Sequence, residues 1–418
     1  MLKQSLLLLS LATLPVRAAS LSLSGNARFG TNMFNNLDLT PGTWPGVGNS
    51  ESFFETRLLI RPDIVVDDRF TIRTEWVVAP GPGDTNDLPP YFGTALGNSL
   101  SLGVSRAYLD WVSDWGVFSV GRMPKNWGLG LLYDAGNDPY DDFVTTRDRA
   151  SFKALLGNLA LQIGYEKLND GLLSHSQDDA DAYELSIEYS NPESMMDVGL
   201  LYTRNVAMTG SPAASDRASV SSHFLSVYSK KRWDRLQVGG ELVNESAKNY
   251  SVIGMLAQID YMPGVWELGM DIGFASGSDK TNFSFHPNYK PFLILFNQSA
   301  GPGANPASIR GGASGASAVG QPVGQGTGNG AFLTKLSATY GTESQSFRYG
   351  MDVGYANLAR QGSNAGTSLG VETDLHLTQK WYDNFRTTYA LGFLFPGTAF
   401  GTNPQVAWGL QIRGALVF

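Results

Sequence analysis

The chain has 418 residues, a formal net charge of −8, and only 16% charged residues. No basic run and no patch of mixed basic and aromatic residues occurs, so nothing indicates nucleic acid as a partner. Because there is no cysteine, disulfides, thiolate metal sites and a cysteine nucleophile are excluded. The mean hydropathy of −0.13 is too low for a bundle of membrane helices, but strands that alternate apolar and polar residues average to such a value.

The first 18 residues predict a secretory signal peptide. Lys3 precedes an apolar run over residues 6–14, and small residues flank Arg17 at the usual cleavage positions. The apolar run is too short for a membrane-spanning helix, which needs about 20 residues, and no longer run follows. We therefore expect the mature chain to be residues 19–418.

Strict alternation of apolar and polar residues predicts strands in the rest of the chain. Residues 183–189 and 369–378 are examples, and a period of two residues is typical of a half-buried strand. A membrane protein without membrane helices must be a closed barrel, because lipid offers no partner for an open sheet edge. We predict an all-β, single transmembrane, antiparallel, up-and-down β-barrel of about 18 strands, with 16 as the alternative. The segments recur near residues 21, 52, 69, 101, 116, 147, 159, 183, 196, 223, 236, 251, 265, 331, 346, 368, 383 and 405.

Short and long links alternate between these segments. The short ones are near residues 67, 114, 157, 192, 234 and 264, and the long ones near 31–50, 80–98, 124–144, 206–221 and 277–330. This rhythm is typical of short periplasmic turns and long outer loops. The low-complexity tract 298–330 contains Gly, Ala, Ser and Pro with one charge, Arg310, and its composition predicts a mobile loop at one barrel mouth. Whether it folds over the pore or stays on the surface is open.

Aromatic residues lie close to the strand ends, where they predict the two girdles at the membrane interfaces. The chain also ends on Phe418, after a strand in which Trp408, Leu410 and Ile412 alternate with smaller or polar residues. A terminal aromatic there resembles the signal by which Gram-negative bacteria recognise outer-membrane β-barrels. The resemblance implies an outer-membrane location, contact with outer-membrane lipid and lipopolysaccharide, and recognition by the barrel-assembly machinery through Phe418. The girdle residues are Trp76, Trp111, Trp115, Trp233, Tyr261, Trp266, Trp381 and Tyr382.

Strand parity separates the lumenal side chains from those facing lipid, because a charge near the bilayer midplane costs about 2–4 kcal/mol. The basic lumenal residues fall on the first six and last two strands, which are contiguous once the barrel closes: Arg28, Arg57, Arg61, Arg73, Arg106, Arg147, Arg149, Lys153, Arg386 and Arg413. The acidic ones fall on the other strands: Glu166, Glu184, Glu188, Asp197, Glu241, Asp260, Glu267, Asp271, Asp352, Glu372 and Asp374.

Two walls of opposite charge would produce a transverse field that orients polar solutes, and porins resemble this arrangement. Glu55, Glu75 and Asp110 interrupt the basic wall. They are expected to pair with arginines around them, so the same charges could instead stiffen the wall through ion pairs. Both roles can coexist.

A sharper motif covers residues 121–149. A strand ending in Gly121 and Arg122 is followed by a loop rich in Trp, Gly and Asp, and then by Arg147 and Arg149. This phrase resembles large proteobacterial barrels of the alginate-export type, in which such loops fold inward and narrow the pore. The resemblance implies that Arg122, Lys125, Arg147 and Arg149 line a constriction, that Trp127 offers a stacking face, and that the loop also contributes Asp134, Asp138, Asp141 and Asp142. A second phrase, residues 283–296, is similar to uncharacterised δ-proteobacterial barrels.

The sequence gives only weak indications of a metal site or of catalytic residues. Asp134, Asp138, Asp141 and Asp142 could bind Ca²⁺, but their spacing departs from the EF-hand pattern, and an ordinary solvated acidic loop is the better interpretation. None of the four histidines forms a recognisable catalytic pattern with a nearby serine. We expect no enzymatic activity and no cofactor.

The preferred function is therefore an outer-membrane porin-like channel for passive diffusion of small hydrophilic solutes. One alternative is an exporter of an acidic polysaccharide, as the alginate-export resemblance implies, with anionic saccharides as partners. Another is a structural or adhesion barrel plugged by its own loops, for which the tract 298–330 would lie inside. A homotrimer is possible.

Overall fold

The structure is a computed structural model that describes residues 19–36, 50–80, 91–92, 100–169, 180–209, 218–278, 282–297, 330–342, 344–360, 366–400 and 405–418. The predicted signal peptide and almost all of the tract 298–330 lie outside these residues. Among the described residues, no helix is long and apolar enough to cross a bilayer.

The described chain forms one antiparallel sheet. Its strands are β1 Ser20–Asn35, β2 Ser50–Val65, β3 Phe70–Pro80, β4 Tyr91–Phe92, β5 Leu100–Ser113, β6 Gly116–Pro124, β7 Thr146–Leu156, β8 Leu159–Asn169, β9 Ala180–Asn191, β10 Met196–Thr209, β11 Ala218–Trp233, β12 Leu236–Ala247, β13 Tyr250–Tyr261, β14 Trp266–Ala275, β15 Ala331–Tyr340, β16 Phe347–Leu358, β17 Ser368–Tyr382, β18 Phe385–Pro396 and β19 Ala407–Val417. A 3-10 turn, Thr398–Phe400, precedes β19.

The sheet closes into a barrel. Each long strand pairs with the next along the chain, and β19 pairs with β1, so that 18 strands form the wall. The two-residue strand β4 only extends the edge beside β2. The predicted all-β barrel of 18 strands is confirmed, and the 18 predicted segments coincide with the 18 wall strands. Closure leaves no edge strand, so the wall presents no open row of unpaired backbone groups to lipid.

Side chains alternate between the outer face and the lumen. On β9, Tyr183, Leu185 and Ile187 are 51%, 47% and 38% exposed on the outside, whereas Glu184 and Ser186 are 7% and 3% exposed inside. Water would penalise so much exposed apolar surface, and lipid does not. The outer face is therefore an apolar band.

The links differ at the two ends of the barrel. At one end, here the turn end, links such as 114–115, 157–158 and 234–235 are two residues long. The other end, here the loop end, has the long links, but the link between β12 and β13 is only residues 248–249. This is the shortest link at the loop end.

Aromatic side chains ring the turn end on the outside. Phe70, Trp111 and Phe118 stack across three neighbouring strands, with ring centroids 6.0 and 5.3 Å apart. Trp115 at the adjoining turn is 82% exposed. Such rings favour the headgroup level of a bilayer, so they mark one edge of the apolar band.

The C-terminal residue takes part in closing the barrel. The backbone N–H of Phe418 donates to the carbonyl of Gly25 at 3.0 Å, and Gly25 donates back at 2.8 Å. A Cβ at Gly25 would lie 2.7 Å from the ring of Phe418, so only glycine leaves space for the terminal aromatic side chain.

Candidate functional site

Two segments leave the wall and lie inside the barrel. The first is residues 125–145, between β6 and β7, which we call the first inward loop. The second is residues 282–297, between β14 and β15, which we call the second inward segment. Both leave the wall at the loop end, and most of their large side chains are buried against lumenal residues.

Glu241 on β12 holds the middle of the first inward loop. Leu129 and Leu131 donate their backbone N–H groups to its Oε2 at 2.8 and 3.3 Å. The hydroxyl of Ser226 donates to Oε1 at 3.2 Å and accepts the indole N–H of Trp127 at 2.9 Å. Glu241 is 2% exposed, so donors from the loop and the wall satisfy a carboxylate that water does not reach.

Lys125 holds the start of the loop. Its ammonium lies 2.8 Å from Glu166 and 2.6 Å from Glu184, and Arg149 contacts the same carboxylates at 3.6 and 2.9 Å. Burial by itself lowers the pKa of Lys125, but Tyr133, Glu184 and Glu166 outweigh it and raise that pKa above its ordinary value. Lys125 therefore stays charged and joins the loop to β8 and β9.

Asp142 holds the other side of the loop. Its carboxylate contacts Arg28 and Lys290 and lies 3.2 Å from Arg413. Glu55 bridges Arg28 and Arg413 from the wall, at 3.3 and 2.6 Å. Burial opposes ionisation, but Arg28, Arg413 and Lys290 hold the pKa of Asp142 well below its usual range. One carboxylate of the loop thus faces three cations, of which Arg28 and Arg413 are buried.

Backbone carbonyls of the loop accept from other arginines. Arg28 and Arg57 are direct partners across β1 and β2, and like charges placed opposite each other repel. Both donate to the carbonyl of Asp141, and Arg106 donates to the carbonyl of Ala135. Charge-assisted hydrogen bonds of this kind offset the repulsion and fix the loop.

The second inward segment is apolar and fills lumenal space. Glycines of the wall make that space: a Cβ at Gly254 would lie 2.0 Å from the ring of Phe283, and one at Gly354 would lie 2.2 Å from the ring of Phe292. The segment packs with apolar lumenal residues such as Phe34 and others on β2, β12, β13 and β15–β19. Its apolar side chains, all at most 8% exposed, are Phe283, Phe285, Phe292, Leu293, Ile294, Leu295 and Phe296.

Two carboxylates of β17 accept backbone N–H groups of this segment. Leu293 donates to Asp374 at 3.0 Å, and Ile294 and Leu295 donate to Glu372 at 2.6 and 2.8 Å. Glu372 is fully buried. These residues of the predicted acidic wall therefore bind protein backbone, not water in an open bore.

The two inward segments also bind each other. The side chain of Asn288 accepts the N–H of Phe143 at 3.0 Å and donates to its carbonyl at 2.7 Å. His286 donates its backbone N–H to Leu131 at 2.8 Å, and its ring lies 3.0 Å from the hydroxyl of Thr145. Burial lowers the pKa of His286 to about 4, so the ring is neutral at pH 7. Together the segments form one inserted body.

A polar cavity of about 480 Å³ remains under the first inward loop, toward the turn end. Lys153 and Glu188, 3.1 Å apart, are its most open ion pair, with side chains 38% and 31% exposed. Serine and glutamine side chains supply further polar groups. Its charged residues are Asp110, Lys125, Arg149, Lys153, Glu184 and Glu188, so three positive charges face three negative ones.

Other predicted lumenal charges also face inward. Arg386 is exposed, and its backbone carbonyl accepts a hydrogen bond from the Tyr140 hydroxyl. The carboxylate of Asp197 accepts a hydrogen bond from the Ser190 hydroxyl. The remaining contacts are Arg61 with Glu75 at 2.6 Å, Arg73 with Asp110 at 2.8 Å, Arg147 with Glu166 at 3.9 Å, Glu267 with Arg348 at 2.6 Å, Asp271 with Lys335 at 3.1 Å and Asp352 with His376 at 3.7 Å. Cations and carboxylates interdigitate, so the expected separation into two oppositely charged walls is not what the structure has.

The expectation for Arg122 was wrong. Ser119 and Met123 of β6 face the cavity, whereas Phe118 and Val120 are 43% and 54% exposed on the outside. Arg122 shares the outward parity, and its guanidinium pairs with Asp148 of β7 at 2.7 Å. Strand alternation, which the resemblance did not take into account, keeps this charge out of the lumen.

Two further expectations about the first inward loop need correction. Trp127 is 4% exposed and packs edge-on against Tyr228, so it offers little face for stacking. Asp142 is occupied by cations, and among the described residues no three or more His, Asp or Glu side chains converge as metal ligands. The suggested Ca²⁺ site is therefore not formed.

Sequence reasoning missed the role of the second inward segment. Residues 291–297 include five consecutive apolar side chains in a link that would otherwise lie in water, and burial inside the barrel satisfies them. Asn288 and Lys290 carried no motif. Besides this apolar run, the glycines at lumenal positions of the wall also indicate an inserted segment, because they leave space that other side chains must fill.

No family model and no curated protein matches the sequence. Among solved structures the chain is similar to OccK9 (OpdG) of Pseudomonas aeruginosa, with a TM-score of 0.59 and 12% identity over 96% of this chain and 99% of that one. It is also similar to the outer membrane protein OpdK of that organism, with a TM-score of 0.56 and 12% identity over 95% and 99%. For a structure of OpdK with vanillate, the TM-score is 0.56 and the identity is 10%, over 95% of this chain and 98% of that one.

At such identities the likeness shows the fold. It is that of a Gram-negative outer-membrane β-barrel, as the sequence predicts. The alginate-export resemblance of residues 121–149 finds no support in these comparisons.

Proposed function

We propose that this chain is an outer-membrane channel through which small hydrophilic solutes diffuse passively. The observation that carries the proposal is the polar cavity of about 480 Å³ under the first inward loop. It lies in an 18-stranded barrel, which is wide enough for an aqueous path that inward loops then narrow. The fold shared with outer-membrane barrels supports the membrane location.

The path runs along the cavity lined by β5–β10, with Arg73 of β3 beside it through Asp110. Lys153, Glu188 and Arg73 keep about a third or more of their side-chain surface accessible there. On the opposite side, along β12–β19, the second inward segment fills the loop-end part of the lumen, while the turn-end part keeps ion pairs such as Glu267 with Arg348. Solutes therefore pass between the first inward loop and the polar wall.

The charge of this path is nearly balanced, because its cations have carboxylates beside them. Such a path favours small solutes whose polar groups replace ordered water, and it gives weak preference between simple cations and anions. OpdK has been solved with vanillate, so an aromatic carboxylate is a useful test solute beside neutral sugars and uronates.

Single-channel conductance of the refolded protein in planar bilayers tests the proposal. We expect discrete openings, a reversal potential close to zero in a salt gradient, and partial block by permeant solutes. A trace that is closed at every voltage would remove the channel proposal. If the channel opens, liposome swelling with sugars of increasing size measures the limiting width of the path.

A plugged structural barrel is the second candidate. The observation that favours it is the buried apolar body of the second inward segment, which packs from Phe34 on β1 to Ala407 on β19. Conductance separates the two candidates, since a plugged barrel passes no current.

Export of an acidic polysaccharide is the weaker alternative. An anionic chain needs a continuous row of accessible cations. Arg28, Arg57, Arg106, Arg149 and Arg413 are each at most 7% exposed and bound to carboxylates or backbone carbonyls. Recognition of Phe418 by the assembly machinery, the signal peptide and a homotrimer stay predictions.

A further inference from the structure

Charged side chains occupy part of the outer face of the barrel, where apolar residues are expected. Arg122, Asp148, Lys167 and Asp181 are successive cross-strand partners on β6, β7, β8 and β9. All four have outward parity. Neighbouring strands lie about 4.8 Å apart, so this row extends over roughly 14 Å of the surface.

A second outward row lies one step closer to the middle of the barrel. It consists of Tyr165, Tyr183, Arg204 and His223 on β8–β11, again direct cross-strand partners. Tyr165 and Tyr183 are 42% and 51% exposed, and the next outward positions toward the turn end are apolar. The two rows therefore mark the upper edge of the apolar band, at the loop end.

The three cations of these rows differ in their partners. Arg122 lies 2.7 Å from Asp148, and Lys167 lies 3.2 Å from Asp181. Arg204 is exposed and, within the part of the chain that the structure describes, has no ion-pair partner. The carboxylates hold Arg122 and Lys167 along the surface, and the patch keeps a net positive charge.

We propose that this patch, residues Arg122, Lys167, Arg204 and Tyr183, binds the phosphate groups of an anionic lipid headgroup at the loop end. The inference rests on the membrane placement in the proposed function, with the loop end facing outward, where lipopolysaccharide supplies phosphates. Phosphate oxygens accept hydrogen bonds from guanidinium and ammonium groups and from the Tyr183 phenol, whereas the Tyr165 phenol donates to Asp181 at 2.8 Å. Charges at this height are stable because headgroups, not hydrocarbon, surround them.

Charge complementarity favours a lipid over a second protein as the occupant. The patch lies at the boundary of the apolar band, so a bound molecule contacts both aliphatic side chains, such as Ile163, and the charged rows. A phosphorylated amphiphile presents these two chemistries at that spacing. The tyrosine rings lie between them, as is typical of an interface.

The test uses the full folded chain in neutral detergent and measures binding of purified lipopolysaccharide by native mass spectrometry. We expect the bisphosphorylated lipid to bind about tenfold more tightly than the dephosphorylated one, the change that one or two charge-assisted hydrogen bonds give. Arg204→Ala and Lys167→Ala should each weaken binding of the phosphorylated lipid by a similar factor and leave binding of the dephosphorylated lipid unchanged.

Lys231→Ala is the matched control, because Lys231 also faces outward on β11 but lies at the turn end over the ring of Trp233. It should bind as the wild type does. Equal binding of the two lipids, or equal weakening by Lys231→Ala, would overturn the proposal. Competition by an equal concentration of inorganic phosphate would overturn it in favour of a free-anion site.

Folding and conductance are read separately. Arg204→Gln replaces Arg204→Ala if the alanine variant fails to show the heat-dependent gel shift of a folded barrel. Conductance in neutral bilayers should be unchanged in these outward variants. Loss of lipid binding with normal conductance, or the reverse, therefore distinguishes this inference from the channel proposal.

Discussion

The two halves of the lumen are built on different chemistry. The half along β1–β3 and β5–β10 is polar, with its cations and carboxylates joined in ion pairs, and its β5–β10 part lines a cavity of about 480 Å³. Along β12–β19 the loop-end part of the lumen is apolar and packed, with glycines of the wall shaped to the rings of Phe283 and Phe292, whereas the turn-end part keeps ion pairs such as Glu267 with Arg348. Apolar packing excludes water permanently, whereas paired charges leave groups that a polar solute can contact. The proposed path therefore follows the polar half.

Asp142→Ala should have the largest effect on this contrast. It removes the carboxylate that faces Arg28, Arg413 and Lys290, and an uncompensated buried charge costs about 3–5 kcal/mol. The first inward loop should detach, which raises single-channel conductance while chemical denaturation shows lower stability. Asp138→Asn, an exposed change in the same loop, is the control. Conductance equal to the wild type in both variants would show that this loop does not limit the path.

Gly254→Ala tests the packed half. The new Cβ would lie 2.0 Å from the ring of Phe283, and overpacking of this kind costs about 1–3 kcal/mol. We expect lower stability and, where the segment is displaced, a second and larger conductance level. Gly240→Ala on the outer face, where the nearest atom is 3.7 Å away, should change neither. An unaffected Gly254→Ala variant would contradict the proposed docking of the segment.

Lys153→Ala tests the polar half. Loss of one accessible cation beside Glu188 should raise cation preference, on the order of twofold in 0.1 M salt, where charges within about 10 Å of the path are incompletely screened. The reversal potential in a salt gradient measures this preference. Arg122→Ala is the matched control, because its side chain is outside the barrel. A shift in the control but not in Lys153→Ala would place the path elsewhere.

The smallest expected effect is pH dependence at the contact between the two inward segments. Burial lowers the pKa of His286 to about 4, below its ordinary value, so between pH 6.5 and 4 the unfolded chain binds a proton that the folded chain does not. The contribution of His286 to the free energy of unfolding should therefore decrease as pH falls through this window. Burial and Asp134 raise the pKa of Asp141 to about 7. The contribution of Asp141 to stability therefore decreases as pH rises from 4 to 7, opposite to that of His286.

His286→Gln isolates the histidine contribution. The difference in unfolding free energy between wild type and variant, measured at pH 7 and pH 4.5, should shrink at the lower pH. Asp134, Lys290 and Arg147 also face His286, so the same comparison at high salt checks that their screening does not produce the change. A constant difference would show that His286 is not the group that titrates.

The sequence by itself determined the barrel. Strict alternation assigned the 18 strands and their lumenal faces, because lipid and water impose opposite solvents on successive residues. Parity also gave the inward direction of Glu184, Glu241 and Arg413. Parity also places Arg122 outside, and its expected lumenal position came only from the motif resemblance.

Only the tertiary structure decided what the lumenal charges do. Glu241, Glu372 and Asp374 bind loop backbone, and Asp142 gathers cations from β1, β19 and the second inward segment. These contacts join residues more than 70 positions apart in the chain, and their partners are mostly backbone N–H groups, which every residue carries and no motif reveals. Which loops turn inward depends on the space that lumenal glycines leave across several strands, a property of the closed barrel and not of any one segment.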